Sequence, residues 1–90
     1  LVTVILKFDP ARFPYIVSKP IHPSQEVISE EEHTLQITVR PNKELEAQIF
    51  SYGPQVEVLE PKWLRQQIEE KIAETLNKYL SGKEDCTEQQ

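Results

Sequence analysis

An α+β domain is what this sequence predicts, and three observations carry the prediction. Apolar residues alternate in Val2, Val4, Leu6 and Phe8 and again in Leu35, Ile37 and Val39, the period-two pattern of half-buried strands. Asp9-Pro10 and Pro41-Asn42 place helix-start residues after those two strands. Leu64, Ile68, Ile72, Leu76 and Leu80 recur every four residues, which marks a long amphipathic helix. The order read along the chain is β-α-β-β-α-β-α. A split βαββαβ unit folds as an antiparallel sheet with two helices on one face, the ferredoxin-like arrangement, and the last helix is an addition to it.

The first strand covers Val2 to Phe8, and Ile5 on its second face marks it as central. A helix is expected from Asp9-Pro10, turning Phe13, Ile16 and Val17 inward, with Pro14 inside it removing one backbone donor. Lys19-Pro20 and His22-Pro23 form a loop. Strands Gln25 to Ser29 and His33 to Arg40 make a hairpin around Glu30-Glu31-Glu32. Asn42 caps a helix from Lys43 to Tyr52, which Gly53 and Pro54 end. Gln55 to Leu59 is the fourth strand. Glu60-Pro61 opens the long helix, which Gly82 stops. The division is one domain over residues 1–82 and a disordered polar tail over 83–90. The chain opens on a strand and contains no methionine, so it reads as a piece of a larger protein.

Composition is that of a globular domain, with 38% hydrophobic and 28% charged residues. No apolar run approaches the roughly 18 residues of a membrane span. The net charge of −5 argues against a domain that holds nucleic acid by bulk charge. The single cysteine, Cys86, offers no internal disulfide and no zinc set, which fits a reducing, cytoplasmic setting.

The segment Ile49 to Arg65 is more specific than its fold. Ser51-Tyr52-Gly53, Val56-Glu57-Val58-Leu59-Glu60-Pro61 and Leu64-Arg65 resemble the C-terminal extension, or WCX region, of WYL-domain bacterial transcription regulators. Val2 to Phe8 and the helix from Ile68 to Leu80 fit the same pattern, so the resemblance spans about residues 2 to 80. Two features depart from it: the Glu30 to Glu32 turn, where a glycine turn is usual, and Pro14 in the first helix. The resemblance implies a parent with a helix-turn-helix region and a WYL domain. It implies a role in ligand sensing, with single-stranded nucleic acid one such ligand, and in dimerisation or signal transmission. The partners so implied are a second copy and the WYL domain of the same parent chain.

Catalytic chemistry finds no support in the residues. His22 and His33 have no carboxylate at ligand spacing, Ser51 lies outside a nucleophile elbow, and two glycines provide no phosphate loop. No enzyme activity, metal or cofactor is expected.

The basic residues gain meaning once placed on the topology. In a βαββαβ sheet the third and fourth strands run parallel and end together. That end collects Arg40 and Lys43 after the third strand, Lys62 and Arg65 after the fourth, and Lys19 and His22 before the second. Two helix N-termini point the same way and add partial positive charge. This basic edge is the candidate surface for an anionic ligand or partner. The competing reading pairs these residues inside the chain, Arg65 above all, by bonding a carboxylate or carbonyl. Trp63 reads as a packing anchor for the last helix, with an interface role as the alternative. Two other functions remain open at this point: a structural oligomerisation module, and a small-molecule-binding regulatory domain of the same fold.

Overall fold

The computed structural model describes the backbone of residues 1–86 and side chains as far as Ser81. Four strands, β1 (Val2–Phe8), β2 (Glu26–Ser29), β3 (Thr34–Val39) and β4 (Val56–Glu60), form one sheet in the order β2-β3-β1-β4. All three neighbouring pairs are antiparallel. The two central strands are the two with the cleanest apolar alternation. Each βαβ unit is split by a strand of the other, which is the predicted arrangement.

Val4, Leu6 and Phe8 of β1 and Leu35, Ile37 and Val39 of β3 point to one face and are buried there. In-register pairs such as Leu6↔Leu35 and Val4↔Ile37 keep that face continuous. Helix α2 (Lys43–Ser51) contributes Leu45 and Ile49, and Val58 completes the layer from β4. Asn42 is extended and its Oδ1 accepts from the Leu45 backbone N–H at 2.8 Å, the expected N-cap. Gly53 has φ +59°, a left-handed turn residue that ends α2 before a short 3-10 turn.

Three expectations need correction. Helix α1 spans only Phe13–Ser18, with Pro14 in its first turn, where a missing N–H costs nothing. The residues after Asp9 make a turn instead, with Arg12 and Phe13 N–H groups donating to the Asp9 carbonyl. So short a helix turns Phe13 and Ile16 inward and leaves Val17 exposed. The last helix, α3 (Lys62–Cys86), passes through Gly82 rather than stopping there, and residues 87–90 lie outside the described residues. A single glycine weakens a helix by about 1 kcal/mol but does not bar its continuation.

Helix α3 does not cover the open face of the sheet. Leu64 and Ile68 join the same core as α1 and α2, so three helices share one face. The other face carries Thr3 and Lys7 exposed, with Ile5, Gln36 and Thr38 half-buried. Beyond Lys71, which still reaches Glu46 of α2, the helix overhangs its own domain, and the whole molecule measures 49 × 27 × 19 Å.

Candidate functional site

The end of the sheet where β3 and β4 finish is the one the topology marked. Register places it: Val2 pairs with Val39, and β2 starts here because it runs antiparallel to β3. Arg40 and Lys43 follow β3 and lead into the N-terminus of α2. Lys62 and Trp63 open α3 directly after β4. The loop with Lys19 and His22 is tied to the same end through Ser24. The Ser24 backbone N–H donates to His22 Nδ1 at 3.1 Å, and its Oγ accepts from the Thr38 N–H at 2.8 Å. In effect Ser24 extends the β2–β3 pairing by one polar rung.

Lys19, Arg40, Lys43 and Lys62 are exposed here, and none makes an ion pair among the described residues. Backbone N–H groups of the α2 first turn face the same end, apart from the one Asn42 takes. His22 is half-buried and held in its loop rather than displayed. The opposite end gathers Asp9 and Glu30 to Glu32 with Lys7 and Arg12, while the basic end also carries Glu44 and Glu60.

Arg65 is engaged within the chain. Its Nη1 donates to Glu57 Oε2 at 2.7 Å and to the Val58 carbonyl at 2.8 Å. The Glu57 hydrogen bond, and then its charge, hold the guanidinium above its usual pKa. Helix α3 is tied a second time through Lys71, which donates to Glu46 of α2. Glu46 keeps only 13% of its side chain exposed, so that link is partly sheltered from water. Trp63 is 50% exposed and is not part of the buried core. Leu64 beside it takes the inward position.

A second surface lies along the last helix. Ile49 and Phe50 of α2, Val56 of β4, and Ile68, Ile72, Leu76 and Tyr79 of α3 line an open groove of about 980 Å³. The four-residue spacing in α3 announced half of it. The contribution of Phe50 depends on how α2 and α3 sit side by side, which no local pattern encodes. No local pattern marks Arg12 either: it donates to Gln55 Oε1 at 3.0 Å and lies over the rings of Tyr15 and Tyr52, tying α1 to the turn before β4.

No set of three His, Cys, Asp or Glu side chains that could hold a metal occurs among the described residues. No helix there is long and apolar enough to cross a membrane.

Fold and surface together are those of a split βαβ domain with four exposed basic residues at one sheet end and an overhanging amphipathic helix. The family model described as the WCX domain matches residues 1–76, and the chain belongs to that family. Comparison with curated proteins and with solved structures finds no match.

Proposed function

We propose that this chain is the non-enzymatic regulatory module of a WYL-type bacterial transcription regulator. In this reading its basic edge faces an anionic ligand shared with the WYL domain of the parent. Single-stranded nucleic acid is the leading ligand, and the setting is cytoplasmic. Membership of the WCX family supports the regulatory class. The observation that carries the ligand reading is the grouping of Lys19, Arg40, Lys43 and Lys62 at one end, exposed and without an ion-pair partner among the described residues. A guanidinium and three ammonium groups beside helix N-termini suit phosphate oxygens. Trp63, half-exposed in the same region, offers a ring on which a base can stack.

Anisotropy titration of a labelled single-stranded oligonucleotide at low salt tests this. Changing Arg40, Lys43 and Lys62 together to Ala is expected to weaken binding at least tenfold. The dependence on log salt should flatten by about 0.7 for each phosphate that is no longer neutralised. Equal binding by the parent chain and the triple variant would remove the ligand role.

A second reading, self-association, rests on a different observation: the exposed apolar stripe of α3. The two readings are compatible, since the stripe and the basic edge lie on different parts of the helix.

A further inference from the structure

The end of the sheet away from the basic edge holds a small cleft of about 250 Å³. It opens where β1 runs out, between His33 on the β3 side and the turn of Pro54 and Gln55 that leads into β4. The Phe8 N–H donates to the His33 carbonyl and the Asp9 N–H to the Gln55 carbonyl, both at 2.9 Å. Backbone pairing therefore fixes both walls against β1. His33 stands in the left-handed region at φ +60°, where a side chain is strained and glycine is not. Its ring meets the ring of buried Phe13 edge-on, with centroids 5.4 Å apart. A strained residue held by the core beside a cleft is a recurrent feature of ligand sites.

Charge on the cleft is mixed and partly uncommitted. Lys7 and Asp9 are both exposed and lie two residues apart along one strand direction. Such residues share a face, with Cα atoms about 7 Å apart. Their charges are opposite, yet neither makes an ion pair among the described residues. Glu57, the third charge on the cleft, is held by Arg65 at 2.7 Å. The Gln55 Oε1 accepts from Arg12 at 3.0 Å, which leaves the amide N–H groups of Gln55 as donors. Pro10, Pro54 and Val56 add apolar surface.

We propose that this cleft binds a small zwitterion, an α-amino acid with a short apolar side chain. The ligand carboxylate meets the Lys7 ammonium and the Gln55 amide. The ligand ammonium meets the Asp9 carboxylate, and the side chain lies on the proline rings. A simple anion is disfavoured, because Asp9, Glu57 and the turn of Glu30 to Glu32 surround the one ammonium group. A metal ion lacks a set of three ligands among the described residues. The volume is below the roughly 300–1,000 Å³ of sites that take drug-sized molecules, which selects a ligand of few atoms. The basic edge lies at the other end of the strands, so this site does not rest on the anion reading.

Amide chemical shifts of the nitrogen-labelled 90-residue chain test it, in titrations with glycine, L-alanine, L-valine and L-proline. Acetate and ethylamine, each carrying one of the two charges, serve as controls at matched ionic strength. L-Alanine is expected to move the signals of Lys7, Asp9, His33 and Gln55 saturably, with a dissociation constant of about 1 mM. Each control should bind at least about tenfold more weakly, the worth of one charge-assisted hydrogen bond. Lys7→Ala and Asp9→Asn should each weaken L-alanine binding by the same factor. Both variants should keep the remaining signals in place, since both side chains are exposed and Asp9 holds Arg12 and Phe13 through its backbone carbonyl. No saturable shift with any of the four amino acids, acetate binding as well as L-alanine, or undiminished binding by both variants would each overturn the proposal. None of these results bears on the oligonucleotide titration, which reads the other end of the sheet.

Discussion

Leu64 and Leu76 are the same residue type on the same helix, three turns apart, and their truncation should differ sharply in cost. Leu64 is 1% exposed and is packed into the core beside Val58 and Ile68. Removing three of its four side-chain carbons in Leu64→Ala loses the transfer free energy of the buried groups and leaves a cavity. A cost of about 3 kcal/mol follows, within the range of about 2–5 kcal/mol for buried leucines. For a domain of this size that lowers Tm by about 12–24 °C. Leu76 is 54% exposed and touches the domain only along the groove. At a concentration where the chain is monomeric, Leu76→Ala should cost less than about 0.5 kcal/mol. Calorimetry or thermal circular dichroism at 1 µM decides the matter. Repeating the scan at 200 µM adds a second check, because a dimer stabilises its folded chains by mass action and Leu76→Ala forfeits that gain. Comparable losses for both variants at 1 µM would refute the argument. Such a result would mean that the outer half of α3 folds back onto its own domain.

Other outcomes follow from single interactions. Asn42→Ala removes the cap on Leu45 and should cost about 1 kcal/mol, or about 4–8 °C in Tm. Gly53→Ala meets no neighbouring atom within 4 Å, so its whole penalty is the φ of +59°, about 1–2 kcal/mol in a denaturant titration. Ser24→Ala leaves the Thr38 N–H without its 2.8 Å acceptor and should cost about 1–3 kcal/mol. Hydrogen exchange would report the same change as faster exchange at Thr38.

What the sequence reveals and conceals divides along physical lines. Period-two alternation in Val2 to Phe8 and in Leu35 to Val39 is local, and it marked both central strands and their buried face. The Asn42 cap and the Gly53 turn are equally local and lie where expected. The start of α1 was misplaced because Asp9-Pro10 and Pro14 are both proper helix-start signals, and only packing of Phe13 and Ile16 decides between them. The end of α3 was misplaced because Gly82 is a stop only when a left-handed turn follows it. The basic edge was deduced from strand direction, a global property that the βαββαβ order supplies. The engagement of Arg65 by Glu57 and Val58 needed the angle between α3 and β4. The groove needed the same angle, so half of it lay hidden.

Arg65 has a further consequence for the sheet as a whole. Asp9 N–H donates to the Gln55 carbonyl, so alternation along the ladder turns the Val58 carbonyl away from β1, toward the free side of β4. A strand end with open backbone groups is a template for other chains. The guanidinium seated on that carbonyl occupies a position that an incoming strand would need, and Glu57 holds it in place. At the other margin, β2 has four residues and an irregular register, a poor template in itself. The domain therefore discourages fibril-like growth at both margins while leaving its helices free to associate. Arg65→Ala would show its effect in light scattering during prolonged incubation, as slow aggregation of chains that are still folded.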